Sequence, residues 1–384
     1  GAWFNPTNAA NFLLRRDGDR FTRLTFAVDG VNCGTEFADW ADFDLDGHLD
    51  LFVGCEHSDC QLWHNHGDGT FTNVADEMGV ADCGSPKAIS WGFLDDDAYP
   101  DLAIGTMGGS NMLFRNHGGL RFVDVARRAG IAEYPRLVLG MGWFDFNHDG
   151  REDLFIGSNR IPTQGELYAY HSGEHWSEQH LVDDRLGEKS VEHRLYLNQG
   201  DGTFLDYTRD ADLLAPSGSM GFNYGDIDND GFFDLFLGTG EPSLISLVPN
   251  VMLRNDRGRS FQDVTVSGQF GHHGRGHGIA FADVTGDGQV DVVASFGGPT
   301  GTDQSKDVIW VNPGNVNSWI EVELRGKVSN RLGQGARLVV NVTQPAGRQS
   351  FFLRQGMSGS FGSNPVKQQH VGLGVTESVD SITV

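Results

Sequence analysis

The chain has 384 residues, 53 of them glycine, and its 52 acids against 28 bases give a net charge of −24. Such a charge repels nucleic acid and anionic membrane surfaces, which excludes both as partners, and no apolar run reaches the roughly 18 residues of a membrane span. The glycines show no period of three, which excludes collagen and points to many tight turns between short strands.

The first ten residues, "GAWFNPTNAA", lack the charged start and apolar stretch of a signal peptide, so the chain reads as a processed or excised segment of something longer. A hairpin pattern, "LLRRDGDRFTRL", follows at 13–24. The strand "FADWADF" then runs into "DFDLDGHLD" at 42–50, which places four carboxylates in nine positions. A very apolar strand, "LDLFVG", comes next, and after a connection "QLWHN" turns through Gly-Asp-Gly into "TFTNV". That turn supplies the positive φ angles of a tight hairpin. Cys33, Cys55, Cys60 and Cys83 all fall in this first unit. Four cysteines confined to one region suggest local disulfides and an oxidising compartment. The short loop "CEHSDC" suggests Cys55–Cys60, which leaves Cys33–Cys83; four free thiols are the alternative.

The acidic loop returns as "DFNHDGRED" at 145–153, "DIDNDGFFD" at 226–234 and "DVTGDGQVD" at 283–291, with a decayed copy, "FLDDDAYPD", at 93–101. The last acids of the five copies lie 51, 52, 81 and 57 residues apart, and versions of the Asn-x-Gly hairpin keep step with the first four loops. Four short strands in each unit of about 50 residues are the signature of a β-propeller blade. The expected fold is therefore all-β: a propeller over 1–316 of about six four-stranded blades, or seven, followed by a small β domain over 317–384. The opening hairpin is expected to complete a blade begun near the C-terminal end of the propeller.

An EF-hand needs a glutamate at position twelve and flanking helices. Here the last acid comes at position nine and the flanks are strands, so a structural calcium clamp is expected rather than a switch. Side-chain oxygens would come from positions 1, 3, 5 and 9 and a backbone carbonyl from position 7. The ligand set is Asp42, Asp44, Asp46, the His48 carbonyl and Asp50; Asp145, Asn147, Asp149, the Arg151 carbonyl and Asp153; Asp226, Asp228, Asp230, the Phe232 carbonyl and Asp234; and Asp283, Thr285, Asp287, the Gln289 carbonyl and Asp291. About four Ca²⁺ ions follow. In the decayed copy only Asp95, Asp97 and Asp101 remain, so binding there is degenerate.

These paired motifs resemble the FG-GAP/VCBS repeats of integrin-α-type propellers, with "SFGGP" at 295–299 as one loose echo. After them, "NSWIEVELRGKVSNRLGQGARLVV" at 317–340 is similar to the ASPIC/UnbV domain, through Trp319, "SNR" at 329–331, "GA" at 335–336 and "GLG" at 372–374. The family domain continues beyond "SITV", so its last strands are expected to be missing. The resemblance implies a calcium-binding propeller that is secreted, or periplasmic or at the cell surface in a bacterium, and acts as an adhesion module for an extracellular protein or glycan. Read without the family, "WIEVEL", "ARLVVNV" and "SFFLRQ" still alternate as strands. Arg325, Lys327, Arg331 and Arg337 form a basic island, either plainly solvated or facing a carboxylate, a sulfated glycan or the acidic propeller.

An enzyme is the alternative: a lyase, hydrolase or cyclising biosynthetic enzyme on the same scaffold. An insertion at about 160–190 carries His171, Glu174, His175 and His180, and "GHHGRGHG" carries His272, His273 and His277 near a blade's first strand. No Gly-x-Ser-x-Gly elbow or phosphate loop accompanies them.

Overall fold

A computed structural model describes residues 11–24, 33–56, 58–132, 137–159, 193–213, 218–240, 249–297, 306–356 and 369–384. The repeats become blades in the order that the sequence lays them out. β3 (Thr35–Ala41), β4 (Asp50–Cys55), β5 (Gln61–Asn65) and β6 (Phe71–Asn73) form the first antiparallel sheet. β7 (Pro86–Gly92), β8 (Asp101–Thr106), β9 (Met112–Asn116) and β10 (Phe122–Asp124) form the second. The third is β11 (Leu137–Phe144), β12 (Asp153–Asn159), β13 (Arg194–Asn198) and β14 (Phe204–Asp206), and the fourth β15 (Ser219–Gly225), β16 (Asp234–Thr239), β17 (Val251–Asn255) and β18 (Phe261–Asp263). The fifth has three described strands, β19 (Gly276–Ala282), β20 (Asp291–Phe296) and β21 (Val308–Trp310).

The opening hairpin, β1 (Leu13–Asp17) and β2 (Arg20–Leu24), pairs only with itself among the described residues and adds no strand to the fifth sheet, contrary to expectation. It touches the first blade through Asn11, whose amide donates to Thr35 at 2.6 Å.

Each acidic loop joins the first two strands of its blade, and the first strands neighbour one another in chain order. The core lies between successive sheets. Phe52, Trp91 and Phe122 fill the first junction, Val138, Met141, Trp143 and Ile156 the second, and Phe146, Phe155, Phe222 and Leu235 the third. Two one-turn helices, α1 (Ala75–Met78) and α2 (Ala126–Ala129), seal the first two junctions with Met78 and Ala129.

Each first strand also carries a bulge near its start, at Glu36, Lys87, Leu139, Met220 and His277. An extra residue there turns one side chain per blade out of register. Lys87, only 1% exposed, thereby meets Glu36 at 3.2 Å and Glu56 at 2.8 Å.

The disulfides are Cys33–Cys55 and Cys60–Cys83, with Cα separations of 5.1 and 6.0 Å, which corrects the expected pairing. Cys55 packs on one face of the blade with Leu51, Val53 and Trp63, whereas Cys60 packs on the other with Phe52 and Leu62. Closeness in sequence therefore leaves Cys55 and Cys60 on opposite sides of a sheet. No helix of the described residues is long and apolar enough to cross a membrane.

Beyond the fifth sheet, β22 (Ser318–Val322) pairs with β25 (Gln369–Gly374), while β23 (Arg337–Gln344) is flanked by β24 (Gly347–Arg354) and β26 (Ser381–Thr383). Leu338, Val340, Phe351 and Val371 make a core of their own, against which Phe233 of the fourth acidic loop packs.

Candidate functional site: five acidic loops under the C-terminal sheets

The five loops share one frame. The position-nine aspartate spends both oxygens on the backbone. One accepts the N–H of the second loop residue, as Asp234 does from Ile227 at 2.8 Å, and the other accepts an N–H from the third strand, as Asp234 does from Asn255 at 2.7 Å. Asp50, Asp101, Asp153 and Asp291 repeat both bonds. A carboxylate has about four lone-pair sites, so this latch leaves room for a metal.

The strand-three asparagines complete the frame. Asn116, Asn198, Asn255 and Asn312 each donate to a carbonyl of the preceding blade's loop, namely Phe43, Leu94, Phe146 and Ile227, at 2.7–3.1 Å. Each also donates to the position-eight carbonyl of its own loop, so one amide staples two blades. The repeated Asn was visible in the sequence, but nothing in a single chain reveals a contact between units.

Within each intact loop the first aspartate accepts the N–H of the position-six glycine, at 3.1 Å for Asp42, 2.8 Å for Asp145 and Asp226, and 2.7 Å for Asp283. Those glycines, Gly47, Gly150, Gly231 and Gly288, have φ of 92°, 90°, 96° and 81°, a conformation that side chains oppose. Leu45, His148 and Asn229 at position four also have positive φ. The carbonyl-bearing position seven donates its own N–H to position five in every loop.

The carboxylates converge most closely in two loops. Asp226, Asp228 and Asp230 bring oxygens within 4.8 Å of one another, and so do Asp42, Asp44 and Asp50. The buried Oδ1 atoms of Asp42 and Asp228 have no hydrogen-bond partner. Burial pushes Asp226, Asp234 and Asp153 far above the usual carboxylate range, with neighbouring aspartates adding to it, and lifts Asp50 to about 8, Asp145 to about 7 and Asp230 to about 6. Crowded, desolvated acids of this kind call for a cation. In the third and fifth loops Asn147 and Thr285 stand at position three, and no three carboxylates of those loops converge as closely. Asp283 is the exception electrostatically. Burial would raise it, but N–H groups of Gly288, Gly286 and Asp287 outweigh that and hold it low.

The decayed loop has a different interior. Phe93 stands at position one, donates its N–H to Glu152 at 3.0 Å and carries the Arg354 guanidinium over its ring at 3.8 Å. Arg115 reaches Asp95 at 2.7 Å. Neither Asp96 nor Ala98 adopts a positive φ.

The C-terminal sheets lie across this whole face. Gln334 donates to the Trp40 carbonyl at 2.7 Å beside the first loop, and Arg337 to the Gly150 carbonyl at 2.9 Å in the third. His370 meets Asn229 at 2.6 Å in the fourth, and Gly288 of the fifth packs against Trp319. Of the basic island, Arg337 thus faces the acidic propeller, whereas Arg325 pairs with Glu323 at 3.3 Å within its own strand region and Lys327 and Arg331 are exposed. Between the C-terminal sheets and blades three to five lies a cavity of about 220 Å³, lined among others by Trp143, Tyr224, Phe281, Glu152, Arg337 and Arg354. Glu152 occupies position eight, where the other loops carry Leu49, Pro100, Phe233 and Val290. Burial raises its carboxyl to about 7.

Among the described residues, His272, His273 and His277 do not converge on one another. His272 stacks on Phe296 with centroids 4.3 Å apart and accepts the Gly274 N–H at 2.9 Å, His273 is exposed, and His277 sits at the bulge of β19. His171, Glu174, His175 and His180 lie outside the described residues.

Residues 42–92, 94–156 and 188–237 match a family model described as FG-GAP-like repeat. Cartilage acidic protein 1 of Mus musculus is 25% identical over 311 residues, covering 80% of this chain and 42% of that protein. The human protein of that name is 25% identical over 313 residues with the same coverage, so the chain spans less than half the length of these relatives. Among solved structures, BBS1N in complex with ARL6DN aligns over 80% of this chain and 76% of that one, with 13% identity and a TM-score of 0.40. Saccharomyces cerevisiae Sqt1 covers 67% of this chain and 58% of that one, with 14% identity and a TM-score of 0.38. The chain thus folds as a β-propeller that carries FG-GAP-like repeats at 42–92, 94–156 and 188–237, and its sequence is similar to that of cartilage acidic protein 1.

Proposed function

We propose that the protein is a secreted, calcium-stiffened propeller that presents its surface to an extracellular protein or glycan. One observation carries the calcium part: Asp226, Asp228 and Asp230 converge within a β-hairpin and an Asp228 oxygen is buried without a partner. Oxygen-only donors in a six- to seven-membered set suit calcium better than magnesium, which resists losing its water. When bound, calcium would neutralise the carboxylates and tie the two ends of each loop together. Asp42, Asp145, Asp226 and Asp283 would contribute the oxygen that does not accept the position-six N–H, with positions three and five closing the set.

The extracellular part rests on two disulfides and on the likeness to cartilage acidic protein 1. The charge of −24 favours a basic patch on the partner. Equilibrium dialysis against calcium tests the site. Asp228→Asn combined with Asp230→Asn should remove one ion and leave the others, and an unchanged count would overturn the assignment. Binding of the calcium-loaded chain to arrayed matrix proteins and glycans, repeated in chelator, tests the module reading. Saturable binding to a single class is expected, and its absence across the arrays counts against it.

A further inference from the structure

The first loop differs from its siblings in one donor. The residue before the strand asparagine is Arg115 in blade two, Leu197 in three, Arg254 in four and Val311 in five, but His64 in blade one. His64 Nε2 lies 3.0 Å from Asp44 Oδ2 and 3.4 Å from Asp46 Oδ2. The atom is shielded from solvent yet makes no hydrogen bond of acceptable geometry, so neither oxygen lies along its N–H direction. Its ring is fixed edge-on against Phe43 and His66, with centroids 5.9 and 4.9 Å away. His66 itself is engaged with Thr72 at 2.8 Å.

A second group of acids overlaps the first at Asp44. Asp42 is 6% exposed and its Oδ1 has no partner, and Asp42, Asp44 and Asp50 converge within 4.8 Å. Asp44 belongs to both groups. Two donors about 2.0–2.2 Å from one tetrahedral zinc ion stand roughly 3.3–3.6 Å apart; His64 keeps 3.4 Å from Asp46 and 3.0 Å from Asp44, so a small opening of the second distance would complete the geometry. Nitrogen is a poor calcium ligand and a good one for zinc and its neighbours. Arginine at the same place cannot ligate, because it never gives up its proton.

We propose that the first loop is a mixed nitrogen–oxygen site for a borderline divalent metal of the zinc class, held by His64, Asp44 and Asp46 with Asp42 beside them. The other three intact loops, which lack a nitrogen donor at this place, stay with hard cations. The site shares its loop with the calcium reading and does not depend on it, since its distinguishing atom is the imidazole nitrogen.

Zinc uptake by the whole chain in millimolar calcium tests it, with both metals counted by elemental analysis. The wild type should take one tight zinc equivalent and release one calcium. His64→Gln should weaken that equivalent at least about tenfold, and His66→Gln should retain it. Equal zinc uptake by wild type and His64→Gln, or none by the wild type, would overturn the proposal. Repeating the titration without calcium separates the two readings: a His64-dependent zinc in a chain that binds no calcium sinks the calcium proposal alone. If His64→Gln does not fold, long-range ¹H–¹⁵N imidazole spectra of the wild type decide. Zinc must move the His64 Nε2 signal, and an unmoved signal refutes the site.

Discussion

The fourth and second loops close hairpins of the same frame around different interiors. In the fourth, three carboxylates face one another, Gly231 turns with φ of 96°, and Asp226 holds its N–H. In the second, a phenylalanine replaces the first acid, Arg354 covers its ring, and Arg115 supplies a permanent cation to Asp95. Both nevertheless keep the position-nine latch, with Asp101 and Asp234 holding the same two N–H groups. The latch is thus a property of the blade, whatever fills the loop.

The comparison breaks first if the latch matters only where metal binds. Asp101→Ala should cost about 2–5 kcal/mol, because two buried N–H groups lose their acceptor. Asp234→Ala should cost at least as much in denaturant melts. A near-neutral Asp101→Ala would show that position nine serves the metal alone. The staple comes next: Asn116→Ala and Asn255→Ala should each cost about 2–4 kcal/mol by the same measurement, since two carbonyls and a glycine N–H lose their partner.

pH sharpens the contrast. Asp50 and Asp101 are raised to about 8 and Asp145 to about 7, chiefly by burial. Unfolded aspartate titrates near about 3.9, so the folded chain holds protons that the unfolded chain has released. That contribution is complete below about pH 4 and is lost as pH climbs through 7 to 8. In chelator, the melting temperature should therefore fall between pH 5 and pH 8; a rise over that range would contradict the reading. Calcium should abolish the fall for the intact loops and leave the Asp101 share in place.

The smallest effects lie at position six. Gly231→Ala should cost about 1–3 kcal/mol from its positive φ, and a Cβ there would also meet Phe351 of the C-terminal core. Ala98→Gly in the second loop should cost no more than about 1 kcal/mol, an entropy effect at an exposed site. Equal costs would mean that the two turns do not differ.

Much of this was legible in the residues, for physical reasons. A blade cannot bury itself alone, so its pattern repeats, and the Asp-x-Asp-x-Asp-Gly spacing needs a glycine where the backbone turns left-handed. The absence of a first acid in "FLDDDAYPD" announced the decayed loop. What stayed hidden depends on contacts between units. Asp234 reads as a ligand in isolation, and only the fold shows both oxygens committed to backbone. Cys55 and Cys60 look paired until the sheet places them on opposite faces. Arg337 reads either as solvated or as facing the acidic propeller, and the fold takes it to the Gly150 carbonyl; His370, for which the sequence offers no role, reaches Asn229 in the fourth loop. His64 lies within a repeat, but its approach to Asp44 requires the hairpin to fold back on the loop.

If the intact loops are structural metal clamps, thermal unfolding combined with a metal count will show it. Ions that bind only the folded chain stabilise it by mass action, about 4 kcal/mol for each site at a thousandfold excess over Kd. With millimolar calcium as the sole metal, about four ions should bind and the melting temperature should lie many degrees above that in exhaustive chelator. No bound calcium and an unchanged melting temperature would contradict it, and would leave the loops as turns held by latch and staple alone.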